Sequence, residues 1–425
     1  MTEPLPGDGS GLASRLRRVA LDLTPVQASR GFRNLLIGDA VSVIGTQVTA
    51  VAVPLQVYAQ TRSAAAVGLV GLAGLVPLIV LGLYGGAVAD AVDRRRLVLA
   101  TTSGQAVLST VLLGQALAGL EWTWLLYVIV AFQAGLFALD SPARQAFVPR
   151  LVAPELLPSA NALRQVEFNV GLTIGPLLAG FIVATSGFSA AYGLDAISFA
   201  ASLMAVASLP SMAPEGGGRR AGLASVIEGL TFLLTRKVLL LTFVVDIIAM
   251  VFGMPRALFA PMADQVFHAG EAVAGGMYSA LAAGALLGAL FGGWFGRVHR
   301  QGLAVVVAIV GWGVCILLFG LTSHLWLALL LLAGAGAADM VSAVFRTAIL
   351  QTAAPDAMRG RLGGVFIVVV AGGPRLGDAR SGGSASLFGL QDAVVMGGVL
   401  VIVLTLLVAA LVPRFVAYDS RNPHP

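Results

Sequence analysis

Apolar stretches long enough to cross a bilayer fill this chain from about Leu35 to Val412, and the polar interruptions between them carry positive charge on every second turn. A helix crossing about 30 Å of hydrocarbon needs roughly 20 apolar residues. Runs such as 64–87, 97–118 and 393–412 supply that length. The chain is 58% apolar and 11% charged, whereas a soluble domain carries roughly 25% charged residues, so water is not the solvent for most of its surface. Lipid offers the backbone no hydrogen-bond partner, and continuous apolar runs without dyad alternation select helices over a barrel. The expected fold is an all-α polytopic membrane protein with twelve transmembrane helices in two pseudo-symmetric six-helix bundles.

Spans are expected near residues 35–59, 64–89, 97–118, 123–147, 159–184, 190–209, 238–260, 272–295, 302–322, 324–350, 362–387 and 391–412. Arg15, Arg17, Arg18, Arg30 and Arg33 precede the first span. Arg94 to Arg96, Arg150, Arg219, Arg220, Arg236, Lys237, Arg297, Arg300, Arg359 and Arg361 fall in alternate loops, and Arg414 and Arg421 follow the last span. Because cytoplasmic loops retain Lys and Arg, both termini and the central loop are expected in the cytoplasm. The chain then divides into a cytoplasmic segment 1–32, a bundle 33–209, a linker 210–237 with an interfacial helix, a bundle 238–412 and a tail 413–425. The polar first thirty residues contain no h-region, so the first span is expected to direct insertion.

The net charge of +5 is explained by topology and gives no reason to expect nucleic acid. Cys315 lies inside a span, and His268, His299, His324 and His424 lack ligand spacing, so no metal site is expected. Gly334-Ala335-Gly336-Ala337-Ala338-Asp339 lies within a span without a preceding strand, and there is no Walker string. No cofactor is expected, and the proton gradient is the expected energy source. No nucleophile and base pair suggests an enzyme.

The two halves repeat short patterns. Ala134-Gly135, Arg144 and Pro154-Glu155 are echoed by Ala335-Gly336, Arg346 and Pro355-Asp356. After span two, Gly85-Gly86-Ala87-Val88-Ala89-Asp90-Ala91-Val92-Asp93-Arg94-Arg95-Arg96 resembles the signature loop of the major facilitator superfamily. Its usual form is Gly, three residues, Asp, Arg, one residue, Gly, then basic residues; here Ala91 and Asp93 replace the Arg and second Gly. Gly31-Phe32-Arg33, Val53-Pro54, Pro154-Glu155 with Ala160-Asn161-Ala162, and Gly360-Arg361 resemble the enterobactin-exporter-like branch, which also includes macrolide exporters.

This resemblance implies a drug or siderophore exporter. By the family pattern, Asp90 faces the start of span eleven and Arg144 on span four, latching a cytoplasmic gate near Gly86, while Arg94, Arg95 and Arg96 hold the loop inside. Topogenic charge alone is the alternative. Gly171, Gly175, Pro176 and Gly180 in span five resemble the exporter-associated Gly-Pro motif, against ordinary packing of small residues.

Acids inside spans need a reason, because an ionised Asp at mid-bilayer costs about 2.5 to 3.5 kcal/mol even on lenient scales. Asp39, Asp140, Asp246 and Asp339 fall in spans one, four, seven and ten, which line the central cavity in the superfamily. All four are proton-coupling candidates; Asp39 and Asp246 are favoured because neither has an obvious local basic partner. The structural alternatives are an Asp140 pair with Arg144, an Asp339 pair with an Arg from another helix, and hydroxyl partners for Asp39 and Asp246. Arg164 and Glu167 form either an intrahelical pair or a gate. Gln47, Gln56, Gln133, Phe252 and Trp312 are candidate substrate contacts, with packing or lipid exposure as the alternative. Asp195, Arg375, Asp378 and Arg380 have no assigned role, although the charges after Gly372-Gly373-Pro374 suggest a bent or wet span eleven.

The expected function is secondary transport by alternating access: proton-antiport export of an amphipathic small molecule across a bacterial inner membrane, by a monomer. The expected partners are a small-molecule substrate and the lipid bilayer; no protein partner is assigned. A proton-coupled importer and a transport-inactive membrane receptor or scaffold are the rivals.

Overall fold

The computed structural model describes residues 22–212, 228, 231–353 and 356–421, and their side chains except at 86, 87, 90 and 356–368. The regular elements among them are helical. Those used below are α1 (Arg30–Thr61), α2 (Ala64–Ala91), α3 (Arg94–Leu117), α4 (Thr123–Gln145), α5 (Leu157–Ala207), α6 (Lys237–Gly253), α7 (Phe259–Gln265), α8 (Glu271–Leu290), α9 (Gln301–Leu321), α10 (Leu325–Ala353), α11 (Asp356–Phe388) and α12 (Leu390–Leu411). The starts of α1, α2 and α3 are capped by side chains of Ser29, Ser63 and Asp93, which accept from the amides of Phe32, Ala66 and Arg96 at 3.2, 3.3 and 2.9 Å. Each cap satisfies an amide that the helix itself leaves unpaired.

Among the described residues, ten helical stretches are long and apolar enough to cross a membrane. Two of the expected twelve are not counted separately among these. Pro154–Ala207 counts as one stretch of 54 residues, although α5 breaks at Gly187, where φ is 77° and ψ is 178°. This break falls in the expected gap between residues 184 and 190. α11 stays helical through Asp356–Phe388, but its first part, 356–368, lies outside the residues whose side chains are described, and the remainder carries Arg375, Asp378 and Arg380.

Large apolar side chains such as Phe132, Phe181, Ile197, Leu330 and Leu406 are exposed, as expected of helices whose outer face meets hydrocarbon. In the N-terminal half α1 packs along α5, α2 on α4 and α3 on α5; in the C-terminal half α8 packs on α10 and α9 on both α10 and α12. The halves meet where α2 lies on α11 and α5 on α8. Small residues allow this approach: a Cβ at Gly68 would come within 2.6 Å of the Asp378 carbonyl oxygen, and one at Gly180 within 2.6 Å of the Glu271 carbonyl oxygen.

The expected span at 238–260 is broken in two. α6 ends at Gly253, and a short 3-10 turn at Arg256–Leu258 leads into α7. The charges of α11 satisfy both sides of the break. Arg380 Nη2 donates to the Phe252 carbonyl at 2.8 Å, and Asp378 Oδ1 accepts from the Ala257 amide at 3.2 Å. A cation thus meets the carbonyl end of α6 and an anion the amide end of the next turn, matching both helix dipoles. The expected interfacial helix in the linker lies mostly outside the described residues.

Candidate functional site: two arginine-centred acid clusters

Each half contains one arginine shared by two acids, half-buried at Arg144 and buried at Arg346. In the N-terminal half, Arg144 on α4 pairs with Asp39 on α1 and with Asp140 one turn back on α4. Its Nη2 also donates to Thr102 Oγ1 on α3 at 2.7 Å and to Ser202 Oγ beyond the Gly187 break at 3.3 Å. Thr101 Oγ1 donates to Asp140 Oδ1 at 2.7 Å. Four helical segments therefore converge on one guanidinium, whose planar donor fork suits several simultaneous acceptors.

In the C-terminal half, Arg346 on α10 pairs with Asp246 on α6, and its Nη2 lies 3.7 Å from Asp339 Oδ1. The pattern repeats: an acid on the first span of the half, an arginine on the fourth, and a second acid on the arginine's own helix. The copies differ in depth of support. Asp140 precedes Arg144 by one turn, whereas Asp339 precedes Arg346 by two. Arg346 Nε and Ser342 Oγ are buried without hydrogen-bond partners.

The sequence offers Asp39 and Asp246 no obvious local basic partner, and the structure supplies one from another helix. Both pair with an arginine across a helix interface, not with hydroxyls. Asp339 also departs from expectation, since Arg346 belongs to its own helix. The expected pair of Arg164 with Glu167 is replaced: Arg164 Nη2 lies 3.4 Å from Asp39 Oδ2, and Glu167 Oε2 is buried without a hydrogen bond.

The loop after α2 is held by residues flanking Asp90. Arg95 donates to the carbonyls of Val206 and Ala207 at 3.3 and 2.7 Å, capping the end of α5. Asp93 Oδ2 accepts from Ser211 Oγ at 2.5 Å and the Met212 amide at 2.8 Å. Burial pushes the Asp93 carboxyl up, but the donors from Ser211, Arg96 and Met212 and the Arg96 charge outweigh it and hold it below the usual carboxylate range. The Arg94 amide reaches the Met212 carbonyl at 3.2 Å, and Arg96 contributes the amide bound by Asp93. The surroundings of Gly86, the side chain of Asp90 and those at the start of α11 lie outside what is described.

Gly171 packs on Val43 and Gly175 on Gln47, both on α1, whereas Gly180 and Pro176 meet α8. Gln56 is buried with Gln115 and Tyr192; its Nε2 donates to Gln115 at 3.3 Å, and its Oε1 accepts from Tyr192 at 2.6 Å. Trp312 is 1% exposed and packs beside Gly253. Both positions are buried in the interior. Gln133 is half-buried and donates to Ser109 Oγ at 3.4 Å. Phe252 lies under Arg380, 6.0 Å from ring centroid to guanidinium.

Sequence reasoning passed over an exposed cluster at the Arg62 end of α1. Arg62 Nη1 lies 2.9 Å from Asp264 Oδ2, which also accepts from Tyr58 at 2.9 Å, and Gln265 donates to Tyr58 at 2.9 Å. Its only advance signal was Arg62 in an otherwise charge-poor loop.

Residues 22–425 match the major facilitator family described as transmembrane secretion effector. The chain belongs to the major facilitator superfamily. It is similar to the enterobactin exporter EntS of Shigella boydii serotype 18, with 31% identity covering 93% of this chain and 95% of that protein. The EntS of Escherichia coli is 30% identical over the same shares. The nucleoside transporter NupG has a similar fold, with TM-score 0.73 at 14% identity, covering 90% of this chain and 98% of that one. A bacterial homologue of the iron transporter ferroportin in an inward-facing state gives 0.66 at 16%, covering 91% and 99%. This superfamily member is a multi-pass membrane protein and a secondary-active transporter of small molecules, not an enzyme.

Proposed function

We propose that the protein exports an amphipathic small molecule from the cytoplasm by proton antiport across a bacterial inner membrane, as a monomer with both termini inside. α5 supplies two spans, one on each side of Gly187, and α11 supplies another, giving twelve in two six-helix bundles, 33–209 and 238–412. The observation that carries the reading is the repeated cluster: Asp39 and Asp140 on Arg144, Asp246 and Asp339 on Arg346. Protonating one acid frees part of a guanidinium, and the broken pair loosens helices that its charges held together. A proton is thereby converted into a change of helix packing, which is what alternating access requires.

Similarity to the enterobactin exporters supports the outward direction and makes a siderophore the first substrate to test. The described contacts between the halves favour closure at the Arg62 end of α1, opposite the Arg30 end, from which Asp39 is about 13 Å distant. The test is proton release from energised inverted vesicles on adding enterobactin or hydrophobic antibiotics. Substrate-specific release, diminished in Asp39→Asn, is expected. Uptake of tracer in the importing direction only would overturn export.

A further inference from the structure

Asp195 is a buried acid whose bonding partners carry no charge. It is 1% exposed and lies about 12 Å along the helix from Gly187. Its Oδ2 accepts from Thr49 Oγ1 on α1 at 2.7 Å and from Ser109 Oγ on α3 at 2.6 Å. Its Oδ1 is buried without a hydrogen-bond partner. From α4, Gln133 reaches Ser109 and not the acid. On its own helix Tyr192 gives its hydroxyl to Gln56, and Ser198 Oγ donates to the Asp195 carbonyl at 2.8 Å. Among the described residues, the ion pairs that neutralise Asp39, Asp140, Asp246 and Asp339 have no counterpart at Asp195.

Two hydroxyl donors offset only part of the cost of an ionised carboxylate in hydrocarbon, whereas a proton on Oδ1 cancels the charge itself. The site is also placed for transfer. Gln133 and Asp140, Ser109 and Thr102, and Asp195 and Ser202 are each seven positions apart on α4, α3 and the second limb of α5. Seven residues are about two turns and 10.5 Å, and return to nearly the same helix face. Two polar layers therefore stack along the same helices. The layer with Asp195 lies towards the Arg62 end, and the layer with Arg144 two turns further in.

We propose that Asp195 is the carboxyl that binds and releases the coupling proton, handing it towards the layer of Asp39, Arg144 and Asp140. On uptake, Oδ1 forms an O–H bond and the site becomes neutral. On release, that bond breaks, the proton passes through intervening water to an Asp39 or Asp140 carboxylate about 10.5 Å away, and Arg144 loses a partner. This rests on the antiport reading and names the group through which it operates.

The experiment uses the full-length protein in inverted vesicles with enterobactin as probe, beside infrared difference spectroscopy of the reconstituted protein. Asp195→Asn keeps the shape and removes ionisation; enterobactin-dependent proton release is expected to fall at least about tenfold, while enterobactin exchange without net proton movement persists. Asp195→Glu is expected to retain coupling. Thr49→Val removes a donor to the ionised oxygen and is expected to displace the pH profile of transport upwards. Proton release by Asp195→Asn at the parental rate overturns the proposal. If the parent itself releases no protons, the antiport reading fails, and the infrared measurement decides separately. A pH-responsive protonated-carboxyl band absent from Asp195→Asn supports Asp195 as a proton site, and the lack of such a band overturns it.

Discussion

Arg144 shows how much one side chain holds in a medium that solvates nothing. Its guanidinium meets two carboxylates and two hydroxyls from four helical segments, so truncation leaves buried Asp140 with only the Thr101 hydroxyl and Asp39 with only Arg164 at 3.4 Å. Arg144→Ala is expected to destabilise the folded protein by about 3–5 kcal/mol, read as a lowered unfolding midpoint in detergent. Adding Asp39→Asn and Asp140→Asn should restore much of that loss, because the cost lies in the poorly compensated charges. Asp93 makes a different prediction. Its folded carboxyl sits below the usual value, so its stabilising contribution is present above the unfolded value of about 3.9 and is lost as pH falls through the lower folded value. Hydrogen exchange at Met212, corrected for intrinsic rate, should therefore rise at acid pH in the parent. In Asp93→Asn it should be raised already at neutral pH and respond little to acid.

At the scale of elements, length and apolarity are enough to locate spans, but not to say how they pair. A lipid-facing side and a packed side are both apolar, so the periodicity that orients a soluble helix is missing. That is why Asp140 and Arg144 were legible as neighbours four apart, while the pairing of Asp39 with Arg144 and of Asp246 with Arg346 was not. The seven-residue recurrence of Ser109 with Thr102, Gln133 with Asp140 and Asp195 with Ser202 was present in the sequence and marked one face on each helix. The charges of α11 were visible as interruptions, but their use depends on the break after Gly253, which is a property of α6 and α7. Removing the cap tests that account. Arg380→Met deletes a charged hydrogen bond to the Phe252 carbonyl and is expected to cost about 1.5–3 kcal/mol. Faster exchange should then be confined to the amides near the α6 to α7 break.

Under the alternating access proposed above, the whole molecule releases one end while holding the other, so the pairs between its halves have to be weak enough to break in every cycle. The cluster of Arg62, Tyr58, Asp264 and Gln265 suits that requirement. Its ion pair is 68% and 47% exposed on the two side chains, and exposed pairs of this kind contribute no more than about 1 kcal/mol. Losing it therefore shifts a two-state balance by at most about fivefold. The buried clusters around Arg144 and Arg346 belong to the interiors of single halves and move with them. Spin labels at Glu121 and Gly270, introduced after Cys315→Ala, report separation of the halves at the Arg62 end. Arg62→Ala should enlarge the long-distance population modestly, and Arg62→Glu further, because like charges then face each other. Adding Asp264→Arg to Arg62→Glu restores an opposite-charge pair and should return the distribution towards the parent. If the two single substitutions leave it unchanged, closure rests on the glycine contacts alone. Gly180→Val, which drives a side chain against the Glu271 carbonyl, would then be the change that opens this end.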